Sequence, residues 1–94
     1  MREFEWDDKK AAANERKHRV SFEEAETVFG DTLGLTVLDA ARSEREIRFV
    51  TIGMSDLGRI LVVAHTDRGE KTRIISARKA TKRERRNYEN VNYP

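Results

Sequence analysis

RILVVAHTDRGEKTRIISAR, residues 59–78, contains two runs rich in β-branched residues separated by a turn-forming tetrad, Asp67-Arg68-Gly69-Glu70. Residues 59–68 and 71–78 therefore predict an antiparallel hairpin. Its most apolar parts, residues 60–64 and 74–75, suit central strands. Alternation along the first run puts Leu61, Val63 and His65 on one face.

Upstream the period of two continues. Residues 46–55 and 35–41 read as further strands, and Ser55-Asp56-Leu57-Gly58 forms a short turn into the hairpin. At the start, Phe4 and Trp6 alternate with Glu3 and Glu5, the pattern of a short half-buried strand, with both aromatic rings in the core. Between these regions the spacing becomes helical. Asp7 and Asp8 open a helix that ends near Lys17 and His18, with acids and bases at the ends that the helix dipole favours. Ser21 with Glu24 is a capping box, and Phe22, Ala25, Val28 and Phe29 continue a second helix until Gly30.

Downstream, Thr81 with Glu84 forms another capping box and opens a helix through about Val91. Its large apolar side chains are Tyr88 and Val91, while Lys82, Arg83, Arg85 and Arg86 crowd the turns where cations oppose the dipole, so it is expected to dock loosely. The whole, residues 1–94, predicts one α+β domain. An antiparallel sheet is packed by two N-terminal helices and followed by a basic C-terminal helix.

Charged residues make up 38% of the chain and hydrophobic ones 37%, so the core is small and a covering partner would help stability. There is no cysteine, which excludes disulfides and thiolate metal sites, and no apolar run long enough to span a membrane; the expected location is the cytoplasm. The net charge of +2 conceals an asymmetry. Residues 1–58 hold nine Lys/Arg against thirteen Asp/Glu, whereas residues 59–86 hold ten against three. Clustered cations bind phosphate backbones by releasing counterions, so the basic third points to a polyanion, although a solvated charged face would read the same way.

Several motifs together resemble one family. They are Phe4-Glu5-Trp6-Asp7, Lys17-His18, Val20-Ser21-Phe22-Glu23-Glu24-Ala25, Ile52-Gly53, Gly58-Arg59, and Arg73-Ile74-Ile75-Ser76-Ala77-Arg78 followed by Arg83-Glu84-Arg85 and Tyr88. The pattern resembles the BrnT toxins along nearly the whole chain. The resemblance implies a RelE-like fold, a ribonuclease toxin of a type II toxin–antitoxin pair that blocks translation, and a BrnA-like antitoxin as partner. Two positions depart from the family pattern: Arg19 stands where glycine is usual after Lys-His, and Arg42 stands where histidine is common before Ser43.

Two histidines without cysteine or a close His/Asp/Glu pattern predict no metal and no other cofactor. RNA carries its own nucleophile, the 2′-hydroxyl, so a protein that aligns it, moves protons and stabilises charge suffices for cleavage. His65 is the first proton-transfer candidate, unless the face it shares with Leu61 and Val63 is core. Arg78, at a strand end, is the candidate to grip the phosphate, or else it pairs with Glu84 or Glu89. Tyr88 either stacks on a base or relays a proton, or anchors its helix. Arg59, Arg68, Arg83 and Arg86, with Lys17 and His18, are the RNA-positioning candidates; Arg59 and Arg68 read equally as solvated hairpin ends, and His18 as a helix-terminal cation. The reading is a metal-independent endoribonuclease acting on single-stranded RNA. The rival is a non-catalytic module that binds nucleic acid or protein through the same basic surface.

Overall fold

The computed structural model describes residues 2–92. The two β-branched runs form β4 (Ile60–Arg68) and β5 (Lys71–Lys79), joined at Gly69, whose φ of 62° the turn requires. Antiparallel pairing extends from β4 to β3 (Arg48–Met54) and from β3 to β2 (Leu35–Leu38). On the other side β1 (Glu3–Glu5) lies parallel to the first three residues of β5. The order β1-β5-β4-β3-β2 puts the most apolar strand in the middle, and the sheet is antiparallel except at β1.

The expected strand 35–41 ends early. Ala40–Arg42 form a 3-10 turn, because Ser43 Oγ donates to Asp39 O (2.6 Å) and accepts from Arg48 N (3.0 Å), closing the connection locally. Likewise 46–55 pairs only over Arg48–Met54.

Helix α1 (Asp8–His18) is capped by Asp7, and α2 (Phe22–Thr27) by Ser21, each side chain accepting a backbone N–H three residues on. The capping box expected at Ser21 and Glu24 is half made: Glu24 N donates to Ser21 Oγ, but the Glu24 carboxylate is engaged elsewhere. A 3-10 turn, Val28–Gly30, extends α2. Both helices pack on β5, and Val20, Phe22, Ala25 and Val28 join Leu61, Val63, Ile74 and Ala77 in the core, flanked by Phe4, Trp6, Ala11 and Phe29. Burial of such side chains contributes about 1.5–3 kcal/mol for each large one, which is how a core this small holds the domain.

One irregularity in β5 controls what faces where. His65 pairs with Ile74 and Ala64 with Ser76, leaving Ile75 without a partner across the ladder. Such a bulge shifts the alternation by one. Thr72, Ile74 and Ala77 are buried under the helices, and Arg78 emerges on the opposite, open face beside Val62.

The basic helix α3 (Lys82–Asn92) has the complete capping box expected at Thr81 and Glu84, with Glu84 N donating to Thr81 Oγ1 (3.2 Å) and Thr81 N to Glu84 Oε1 (2.9 Å). It is not loosely docked. Tyr88 is 1% exposed and donates its phenolic O–H to Asp31 Oδ2 (2.5 Å), and Asn92 donates to Leu33 O (3.1 Å). Asp31 also accepts from Met54 N and Leu33 N, and these donors hold its carboxyl below the usual range despite burial. Gly53 permits this junction, since a Cβ there would lie 2.8 Å from Val28 Cγ1.

Candidate functional site

A depression of about 390 Å³ opens on the sheet face away from α1 and α2. Its floor is Val50 of β3, Val62 and Ala64 of β4, and Ile75 and Ser76 of β5. Four elements raise its walls: the last turn of α1 brings Lys17 and His18, the end of β5 brings Arg78, the connection after β2 brings Asp39 and Arg42, and the start of β3 brings Arg48. Three arginines, one lysine and one histidine thus line the rim with Asp39, while Glu84 and Glu46 pair with Arg78 and Arg48. An apolar floor with a cationic rim suits a nucleotide, whose base has a stacking face and whose linkage is anionic.

Arg78 is fixed before any ligand arrives. Its two Nη atoms donate to the two carboxylate oxygens of Glu84 at 2.7 and 2.8 Å. The guanidinium in turn pushes the Glu84 carboxyl down to about 2, so it stays ionised. A guanidinium has five N–H donors, and with the side chain 41% exposed Arg78 keeps donors for a phosphate. Arg48 pairs with Glu46 (3.5 Å) and Arg42 with Asp39 (3.7 Å), whereas Lys17 makes no ion pair among the described residues.

His65 does not lie in this depression. It faces the helices with Leu61 and Val63, is 3% exposed, packs between Phe29 and Phe49, and shares a 2.8 Å hydrogen bond with Thr51 through Nε2. Thr51 is bonded in turn to Thr36. Burial lowers its pKa to about 4, so the ring is neutral. A neutral ring behind the sheet is separated by a full strand layer from Arg78, and this corrects the expectation that the two act together.

Tyr88 is likewise enclosed, its hydroxyl given to Asp31, so it anchors α3 and has no free face for a base. Arg59 is drawn to the α1–α2 turn instead: it donates to both oxygens of buried Glu24 and to Arg19 O (3.0 Å), with Ser55 Oγ completing the Glu24 contacts. Arg68 pairs with Glu46 (3.4 Å) at the β4–β5 turn end, outside the depression. Arg83 and Arg86 are exposed on α3 and do not line the depression.

Of the nine candidates, Arg78, Lys17 and His18 come together. Arg42 and Arg48 were not among them, although the basic spacing of the 42–48 segment, Arg-Ser-Glu-Arg-Glu-Ile-Arg, was a visible signal. The model of a protein family described as "Ribonuclease toxin, BrnT, of type II toxin-antitoxin system" matches residues 6–84.

This chain belongs to the BrnT family.

Among solved structures, the crystal structure of the Brucella abortus ribonuclease toxin BrnT is similar at 21% identity and a TM-score of 0.64, covering 87% of this chain and 100% of that one, so the two share a fold. No curated protein sequence matches the chain. Family membership makes it a ribonuclease toxin of a type II toxin–antitoxin system, and such a system supplies an antitoxin partner. No helix among the described residues is long and apolar enough to cross a membrane.

Proposed function

We propose that this BrnT-family chain cleaves single-stranded RNA in the open-face depression without a metal ion, leaving a 2′,3′-cyclic phosphate and a 5′-hydroxyl. The observation that carries the reading is the convergence of His18, Lys17, Arg78, Arg42 and Arg48 on one apolar-floored concavity. The 2′-oxygen attacks the adjacent phosphorus, and the bond from phosphorus to the 5′-oxygen breaks. Arg78 donates to the non-bridging oxygens as negative charge accumulates on the pentavalent phosphorane. His18, through its imidazole nitrogens, takes the 2′-hydroxyl proton or supplies one to the departing 5′-oxygen, with water completing the other transfer. Lys17, Arg42 and Arg48 hold neighbouring phosphates, with Arg83 and Arg86 steering the strand toward them. A BrnA-like antitoxin neutralises the toxin, and unopposed expression stops translation in the cytoplasm.

Purified protein and single-stranded RNA in excess EDTA test this. Wild type is expected to cut, His18→Ala to lose about 10²–10⁴-fold and Arg78→Ala about 10²–10³-fold in rate. His65→Asn and Arg68→Ala are expected to cut at the wild-type rate. RNA that is bound but left intact by the wild type would favour the non-catalytic binding module, and loss of cutting in EDTA that returns with a divalent ion would overturn the metal-free step.

A further inference from the structure

Asn14 is a buried polar side chain in the middle of α1, 8% exposed, and all its polar capacity is directed at two backbone segments. Its Nδ2 donates to Ala77 O (2.8 Å) and Val20 O (3.0 Å), and its Oδ1 accepts from Ala77 N (3.0 Å). The geometry with Ala77 imitates strand pairing. Beyond residue 73, β5 has no neighbour on its outer side, since β1 pairs only with Lys71–Arg73. The amide therefore supplies the two hydrogen bonds a further strand would have given.

The position of those bonds matters for the depression. Ala77 follows the unpaired Ile75 by two residues and lies between Ser76 and Arg78, both on the wall or floor of the concavity. Asn14 lies one helical turn before His18, so the two share a face of α1. The third bond, to Val20 O, ties in the chain just beyond the helix end. One amide thus sets the spacing between the element that carries His18 and the strand that carries Arg78.

We propose that Asn14 is a positioning residue for RNA cleavage: it clamps α1 to the free edge of the bulged strand and so holds the His18 imidazole at working distance from a phosphate on Arg78. This rests on the reading of the depression as the cleavage site. Catalysis falls steeply when reacting groups are displaced by about 1 Å, whereas phosphate contacts made by long flexible cations tolerate it.

The test is a double-mutant cycle with Asn14→Ala and His18→Ala, read as kcat and KM on single-stranded RNA well below the melting temperature. Val28→Ala, at an equally buried core position that makes no bond to Asn14, serves as a variant that weakens the same core without touching the clamp. Asn14→Ala is expected to lower kcat about tenfold to a hundredfold with little change in KM. In the His18→Ala background the same substitution is expected to cost nothing more, and Val28→Ala to leave kcat unchanged. An equal kcat loss from Asn14→Ala with and without His18, or a matching loss in Val28→Ala, would overturn the clamp while leaving the cleavage site standing. Wild-type rates in both His18→Ala and Arg78→Ala would remove the site reading as well. Should Asn14→Ala fail to fold, Asn14→Asp retains the acceptor for Ala77 N and loses both donor contacts; wild-type kcat in that variant would equally overturn the proposal. Amide exchange at Ala77, fast in Asn14→Ala and slow in Val28→Ala, verifies that the intended bond was broken.

Discussion

Arg19 closes α1 with its backbone in the left-handed region, φ 58° and ψ 34°, while its N–H donates to Glu15 O. A Cβ makes that conformation costly by about 1–2 kcal/mol, and glycine removes the penalty at the expense of a more flexible unfolded chain. Arg19→Gly is therefore expected to raise stability by about 0.5–1 kcal/mol, seen as a higher urea midpoint with the same slope; an unchanged midpoint would mean the strain is absent. The departure from the family's usual glycine has a backbone cost and leaves the Arg19 carbonyl, which accepts from Arg59, in place. At His65 the consequence is pH dependence. Its folded pKa of about 4 lies below the ordinary 6.5, so the unfolded chain takes up the proton first. Stability from the neutral ring is complete above pH 6.5 and declines as pH falls toward 4. In urea titrations across that window, His65→Asn should flatten the decline, and an equally steep decline in the variant would refute the assignment.

Helix α3 is the element whose sequence most understates its attachment. Nearly every residue of it is polar, yet Tyr88 and Asn92 join it to the 31–33 loop through Asp31 and Leu33, and Glu84 joins it to the end of β5 through Arg78. Tyr88→Phe keeps the ring and removes one hydrogen bond to an ionised partner, with an expected cost of about 1.5–3 kcal/mol by urea unfolding. No measurable cost would mean that the phenol contributes only by burial. Acid should loosen the same helix. Glu84 has its pKa held down to about 2 by Arg78, so its contribution is present above the ordinary value of 4.5 and is lost as pH falls toward 2. Amide exchange in Lys82–Asn92 is expected to accelerate, relative to its intrinsic rate, between pH 4.5 and pH 2 in the wild type. Glu84→Gln should show faster exchange already at pH 5 and no further change on acidification.

For the molecule as a whole, the useful quantity is how its cations share one surface. Binding of uncut single-stranded RNA should weaken with salt, and each phosphate contact contributes about 0.7 to the logarithmic slope. Lys17→Ala is expected to reduce that slope by about 0.7, whereas Arg68→Ala, altered outside the depression, should leave it unchanged; the reverse pattern would place the RNA elsewhere. The hairpin at residues 59–78, both N-terminal helices and the capping box at Thr81 were legible beforehand because they depend on short-range physics: alternation, helical spacing and turn chemistry. The excess of cations in residues 59–86 was legible too, but it did not locate the depression, where Arg78 comes from that segment and Lys17, His18, Arg42 and Arg48 come from residues 1–58. Long-range pairing was not legible. Uninterrupted alternation from Ile74 would have sent Arg78 toward the core, and the bulge at Ile75, held at its outer edge by Asn14 from 63 residues away, turns it outward. Periodicity and turn chemistry by themselves determined the elements, and the residue motifs carried the family resemblance; only the tertiary structure decided that His18 shares a concavity with Arg78 while His65 does not, because the face on which a strand residue emerges depends on register, and register is set by contacts between distant segments.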